Sequence, residues 1–293
     1  EFLLNDRVQK ILSIQEQFDI AKNGYISFSG GKDSCVLSAL IDYALPNNEI
    51  PRVFINTGIE YSEIVQFVKS KAVGDGRIKI VAPQKNIKQI LEEKGYPFKS
   101  KEHSLYVSVY QNSGETKTIK RYLDKERGRY ACPESLKYQF SEDFKLKISN
   151  RCCYELKKNP AKKWAKENQK SITITGMRKS EGGLRQLGSC TVFAGQDLKK
   201  FNPLFVVDDT FIDFFVKKFH VELCKLYLPP YNFKRTGCKG CPYSLDLQNQ
   251  LETMQYLLPA EKKQCEKIWE PVYEEYRKIG YRLKKRENNL FLD

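Results

Sequence analysis

The stretch Tyr25-Ile26-Ser27-Phe28-Ser29-Gly30-Gly31-Lys32-Asp33-Ser34-Cys35-Val36-Leu37 decides how the rest of the chain is read. Tyr25 to Phe28 is a short apolar run of strand composition, Gly30-Gly31 turns the chain, and Ser34 to Leu45 has helical spacing that Pro46 stops. A strand that turns through glycines into a helix leaves unpaired backbone N–H groups and the positive end of the helix dipole facing the same way. Such a place suits an anion. Ser29 and Ser34 add hydroxyls, Lys32 adds a mobile positive charge, and the glycines let a phosphate approach the backbone. The spacing is neither that of a Walker A loop nor that of a dinucleotide fingerprint.

Working outward, residues 5 to 21 carry Val8, Ile11, Leu12, Ile14, Phe18 and Ile20 at near-helical spacing. Arg52 to Asn56 and Arg77 to Val81 read as further strands, followed by helices at Ser62 to Val73 and Asn86 to Lys94. Cys152 to Asn168 reads as a helix, Ser171 to Thr175 as a strand, and Asp208 to Leu228 and Leu245 to Ile279 as helical stretches around a turn at Pro229-Pro230. Strands alternating with helices imply an α/β fold with a doubly wound, mostly parallel sheet, here with a helical C-terminal extension. The expected division is 1–96 for the first half of a nucleotide-binding domain, 97–148 for an insertion of poor periodicity, 149–228 for the remainder, and 229–293 for a cysteine-bearing loop and helices.

The 293 residues are 41% hydrophobic and 29% charged, an ordinary globular balance that excludes disordered and fibrous classes. No stretch approaches the length of a membrane span and no signal-peptide pattern is recognised, so the cytoplasm is the expected address and no membrane partner is expected. Fifty Lys and Arg against 36 Asp and Glu give a formal charge of +14, which attracts polyanions and admits a nucleic-acid substrate. With two His residues, a His-based metal site or triad has little to draw on.

Two further segments sit where open α/β sheets bind ligands, at the carboxyl ends of strands. Asn56-Thr57-Gly58-Ile59-Glu60 ends the second strand, which makes Thr57 and Gly58 nucleotide-side candidates. Gly176-Met177-Arg178-Lys179-Ser180-Glu181, with Arg185 shortly after, follows another strand, and the planar fork of Arg suits anionic groups.

Nine cysteines in such a chain point to metal or redox chemistry rather than disulfides. Cys238-Lys239-Gly240-Cys241 lets two thiolates reach one metal centre, and Cys152-Cys153 supplies two more. Cys190 is a fifth candidate; four of the five suffice for a site and leave one for chemistry. Iron-sulfur is the first reading, but four thiolates also satisfy tetrahedral zinc, and thiols that hold no metal are a third reading. Cys35, Cys132, Cys224 and Cys265 read as isolated, Cys35 and Cys224 within apolar helical patterns.

The hexapeptide Ser29-Gly30-Gly31-Lys32-Asp33-Ser34 resembles the PP-loop of the ATP pyrophosphatase superfamily, and Asn56-Thr57-Gly58 resembles a segment of its phosphoadenylyl-sulfate (PAPS) reductase branch. Gly176 and the arginines after it resemble the glycine near the nucleotide and the anion-holding arginines of that family. The cysteine pair followed by the distant Cys-x-x-Cys resembles the four-iron four-sulfur site of adenylyl-sulfate reductases and of ATP pyrophosphatases of the DNA phosphorothioation type. The resemblance implies ATP, magnesium and a 4Fe-4S cluster as cofactors, Lys32, Asp33 and Arg178 in catalysis, and Ser29 to Ser34, Thr57, Gly58, Gly176 and Arg185 around the nucleotide. It further implies cleavage at the α-phosphate with release of pyrophosphate, adenylation of an acceptor, and sulfur transfer from a donor protein.

One departure matters. Assimilatory reductases carry a Glu-Cys-Gly-x-His motif near the C-terminus, where this sequence reads Arg286-Glu287-Asn288-Asn289-Leu290-Phe291-Leu292-Asp293. The intact loop and the missing thiol favour an enzyme that spends ATP. The rivals are a sulfonucleotide reductase that uses thiols and a non-catalytic module that binds nucleic acid.

Overall fold

The computed structural model describes residues 1–124, 128 and 131–285; the segment 286–293, where the reductase motif would be sought, lies outside the described residues. The chain divides into two compact units, one of residues 1–84 and 157–236, the other of residues 85–156 and 237–293. Residues 97–148 thus share a unit with the C-terminal segment.

The first unit is built on a six-stranded sheet of β1 Gly24–Ser27, β2 Arg52–Ile55, β3 Ile78–Val81, β4 Ile172–Ile174, β5 Thr191–Ala194 and β6 Asp197–Phe201. The order is β3-β2-β1-β4-β6-β5, and every pairing is parallel except β5 with β6. The chain runs outward from β1 to β2 and β3, then returns to place β4 on the other side of β1. That reversal falls between β1 and β4, and the carboxyl ends of the strands at such a point are where open α/β sheets take ligands.

Helices α1 Phe2–Phe18, the short α2 Ile20–Asn23, α3 Lys32–Ala44, α4 Ser62–Gly74, α8 Asn159–Glu167 and α9 Asp209–Lys218 belong to this unit. α3 buries Cys35, Val36, Leu37, Leu40 and Ile41, and α1 buries Leu4, Ile11 and Ile14 on the side that packs on α3. At roughly 1.5 to 3 kcal/mol for each large apolar side chain, this layer fixes where α3 begins, and hence where the glycine loop sits. The far end of α3 is tied to the sheet by charge. Buried Arg52 reaches Asp42 at 2.5 Å, and Arg77 reaches the same carboxylate at 2.8 Å.

The helical stretch expected over Asp208 to Leu228 stops at Lys218, because His220 takes a left-handed φ of 50° that continues no helix. The hairpin of β5 and β6 is an addition to the expected elements, turning at Gly195, whose φ is 62°. No helix is long and apolar enough to cross a membrane among the described residues.

The second unit carries α5 Ile87–Lys94, α6 Lys101–Ser113, α7 Lys117–Leu123, α10 Leu247–Leu257 and α11 Pro259–Ile279. Its core is aromatic, with Phe98 edge-on to Tyr276 at 4.5 Å and Trp269 and Tyr273 buried on the same helix. The poor periodicity of residues 97–148 hides α6 and α7. The buried face of α6 holds His103 and Ser104 beside Val107, which breaks the apolar pattern.

Candidate functional site

The glycine loop lies between β1 and α3, at the reversal of the strand order. Gly30 has φ of 70°, and a Cβ there would lie 2.7 Å from Val68 Cγ2, so both backbone and space require glycine. Gly31 caps α3 without a side-chain cap bond. Within the loop, the Ser29 amide donates to Ser34 Oγ at 3.2 Å, the Gly31 amide to Ser29 Oγ at 3.3 Å, and Ser34 Oγ to the Gly31 carbonyl at 2.8 Å. The Lys32 amide donates to Tyr227 Oη. These amides therefore meet neutral hydroxyl oxygens, which an anionic oxygen outcompetes because charge-assisted hydrogen bonds are the stronger ones. Lys32 Nζ stands 3.3 Å from exposed Asp213, a surface pair too weak to hold it from a phosphate.

Gly176 follows β4 and presses on the first turn of α3, where a Cβ would come 2.9 Å from the Asp33 carbonyl oxygen. Arg178 is 6% exposed. Its Nε stands 3.0 Å from Asp33 Oδ1, close as an ion pair but off the hydrogen-bond axis, and its Nη2 reaches Asp209 at 2.8 Å. Burial pushes the Asp33 carboxyl up, against the pull of the Arg178 guanidinium. The structure thus sets Arg178 on Asp33 and Asp209. Arg185 and Arg235 both pair with Glu181, Arg235 at 2.7 Å.

Thr57 and Gly58 follow β2. Thr57 donates from its amide and its hydroxyl to Glu60 at 2.9 and 2.7 Å, and Lys157 approaches the other oxygen of that buried carboxylate at 3.1 Å. This locks the turn. Gly58 has φ of 78° with nothing within 4 Å of a Cβ position, so it faces open space.

Four of the five candidate cysteines, Cys152, Cys153, Cys238 and Cys241, fall in the second unit, and Cys190 falls in the first, where Arg7 Nη1 is 4.0 Å from its Sγ. The hydrogen bond that the buried Cys152 thiol donates to Cys153, its burial, and the nearby Cys153, Cys241 and Cys238 all push that thiol upward. Cys152-Cys153 opens a helical segment that widens into a π-turn at Tyr154–Lys158, a distortion frequent at functional sites. Among the described residues, no group of three or more His, Cys, Asp or Glu is arranged to hold a metal ion. The donor set fits the chemistry of a four-thiolate centre, since Cys152 already feels the other three, but the thiols are not preassembled around one point.

The Cys-x-x-Cys loop is held by α11. Trp269 Nε1 donates to the Lys239 carbonyl at 3.2 Å, Tyr273 Oη to Gly240 at 2.5 Å, and Tyr276 Oη to Pro242 at 2.9 Å. Spacings of four and three put these donors on one helix face. Buried Lys239 pairs with buried Glu261. Cys265, read from sequence as isolated, packs here, its Sγ lying 2.8 Å from where a Gly240 Cβ would be, and burial pushes its thiol to about 12.

Sequence reasoning missed Tyr227, Thr236 and this aromatic face. The signal available was the Trp269, Tyr273, Tyr276 spacing; nothing local marks Tyr227.

Among solved structures, the chain is similar to a phosphoadenylyl-sulfate (PAPS) reductase from Candida auris in a phosphate complex, with 16% identity, 79% of this chain and 87% of that one covered, and a TM-score of 0.47. It is similar also to a U34-tRNA thiolase from Methanococcus maripaludis with its 4Fe-4S cluster, with 15% identity, 95% and 79% coverage, and a TM-score of 0.38. A curated relative, an uncharacterized protein of Methanocaldococcus jannaschii, is 32% identical over 143 residues, which is 46% of this chain and 33% of that protein. The chain therefore spans about a third of that relative. Residues 23–133 and 128–244, which carry the glycine loop, the Gly176 turn and the Cys-x-x-Cys, match the phosphoadenosine phosphosulfate reductase domain, and the chain belongs to that family.

Proposed function

We propose that this protein is an ATP pyrophosphatase of the sulfurtransferase type. The observation that carries the reading is the glycine loop at the reversal point of the sheet, with the Ser29 and Gly31 amides and the first amide of α3, that of Lys32, held by exchangeable hydroxyls. ATP enters as its magnesium complex, with its phosphates on Ser29 to Ser34 and its nucleoside toward Thr57, Gly58 and Gly176. An acceptor oxygen attacks the α-phosphorus, the bond from that phosphorus to the bridging oxygen breaks, and pyrophosphate leaves with the electron pair.

Lys32 and the α3 amides stabilise the charge that grows on the leaving group, where preorganised donors contribute most to rate. Arg178 holds Asp33 in place at the head of α3. Arg185, paired with Glu181 but with 42% of its side chain exposed, meets the anionic acceptor. A sulfur nucleophile then displaces AMP from the activated acceptor.

Cys152, Cys153, Cys238 and Cys241 would hold a metal centre, iron-sulfur in the first place and zinc in the second, with Cys190 outside it. When bound, an iron-sulfur cluster supplies a site that binds and organises sulfur. The basic composition fits a nucleic-acid acceptor.

The test incubates anaerobically purified protein with MgATP and nucleic-acid fractions, and in a parallel arm with a sulfonucleotide and a thiol reductant, and measures pyrophosphate and sulfite separately. Pyrophosphate dependent on one fraction is expected; sulfite formed from a sulfonucleotide, without pyrophosphate from ATP, would overturn the reading in favour of a reductase. Iron content and the visible spectrum of the same sample report the metal.

A further inference from the structure

Three hydroxyl oxygens converge on one face of Gly31. From the position a Cβ would take there, Tyr227 Oη is 3.0 Å away, Ser29 Oγ 3.2 Å and Thr236 Oγ1 3.6 Å. Ser29 belongs to the loop. The other two come from a distant segment of the same unit and are bonded to each other at 2.5 Å. That segment is anchored from behind. Leu226 is fully buried, its carbonyl accepts the Phe233 amide at 2.8 Å, Lys225 pairs with Glu63 of α4 at 2.9 Å, and Phe233 packs edge-on to Tyr61 at 5.3 Å.

Tyr227 Oη also accepts the Lys32 amide, one of the first N–H groups of α3 and one that an anion at this helix end would use. A side chain at position 31 would fill the space these hydroxyls share. The cradle is therefore built from two parts of the chain, and only one of them carries the motif.

We propose that Tyr227 and Thr236 are phosphate-contact residues of the glycine loop, donating their hydroxyls to the polyphosphate tail held at the N-terminus of α3. This rests on the reading of that loop as the ATP phosphate site. When the anion arrives, one of its oxygens takes the Lys32 amide and the Tyr227 O–H, released from its acceptor role, turns to the same anion. Burial pushes the Tyr227 phenol to about 12, so it keeps its proton at neutral pH and acts as a donor. Ser29 and Ser34 complete the set from the loop side.

The test is calorimetric titration of the full chain with inorganic pyrophosphate and with ATP, for wild type, Tyr227→Phe, Thr236→Val and the double variant. Tyr227→Phe keeps the ring and removes only the oxygen. Each single variant is expected to weaken binding about tenfold, the cost of one hydrogen bond to a charged group. The double variant is expected to lose less than the sum, because the two hydroxyls share a bond. Should Tyr227→Phe fail to fold by circular dichroism, Thr236→Val carries the same expectation. Unchanged affinity would make the pair mere packing, and tighter affinity would make Tyr227 a competitor for the Lys32 amide; either overturns the inference while the loop reading stands. A wild-type protein that binds neither pyrophosphate nor ATP overturns both.

Discussion

Among single residues, Gly176 and His103 make the sharpest claims. An added Cβ at Gly176 meets the backbone oxygen of Asp33 at 2.9 Å, and backbone cannot step aside as a side-chain tip can. Gly176→Ala is therefore expected to cost about 1 to 3 kcal/mol and to weaken nucleotide binding by shifting the head of α3. Gly74→Ala, with nothing within 4 Å and no positive φ, is the matched control and should be neutral or slightly stabilising in the same melting experiment. His103 is fully buried, with Nδ1 2.9 Å from Tyr122 Oη and Nε2 2.8 Å from Gln139 Oε1. Gln139 Oε1 can only accept, so the neutral ring donates from Nε2 and its Nδ1 accepts the Tyr122 proton. Burial, with Lys99 and Arg282 nearby, holds His103 down at about 4, against about 6.5 in an unfolded chain. As pH falls the unfolded chain takes up this proton first. The stability from neutral His103 is complete above about 6.5 and is lost as pH falls toward 4, on the order of 3 kcal/mol in total. Urea denaturation at pH 7 and pH 5 should show the drop in wild type and a flatter profile in His103→Gln.

The elements that were legible in the sequence are those whose burial follows a simple period. β1, α3, β2 and α4 fall within two residues of the expected spans because Ile26, Val36, Leu37, Leu40, Ile41, Val53, Phe54, Ile64 and Val68 are apolar and buried in regular order. α6 was not, since its inner face carries His103 and Ser104, satisfied by Gln139 and by the Phe98 carbonyl. β5 was not, since Val192 and Phe193 are exposed on a sheet edge and leave no alternation to read. α11 raises the element-level claim. Its Trp269, Tyr273 and Tyr276 fasten three carbonyls of the Cys-x-x-Cys loop, so Tyr273→Phe should cost about 1 kcal/mol of stability while releasing Gly240. A loop freed in this way should also speed the reaction of the Cys238 and Cys241 thiols with a disulfide reagent, and unchanged reactivity would show that the helix does not hold the loop.

For the whole molecule, the sequence located the motifs but not their company. The glycine loop, the Gly176 turn and the thiol pairs are local patterns, each read from a few neighbouring letters. That Cys152, Cys153, Cys238 and Cys241 share one compact unit while Cys190 lies in the other is a property of the chain path, invisible to spacing. The same is true of Arg178, whose guanidinium is engaged by Asp33 and Asp209 from two different helices. If the four thiols form the metal centre, Cys152→Ser or Cys238→Ser should remove the iron or zinc from purified protein, whereas Cys190→Ser should leave metal content unchanged. The central claim is that the head of α3 holds a triphosphate, and equilibrium dialysis of MgATP against wild type and Lys32→Ala tests it most directly. Saturable binding that falls at least about tenfold in the variant is the expected result; equal binding by both proteins, or none by wild type, would contradict it.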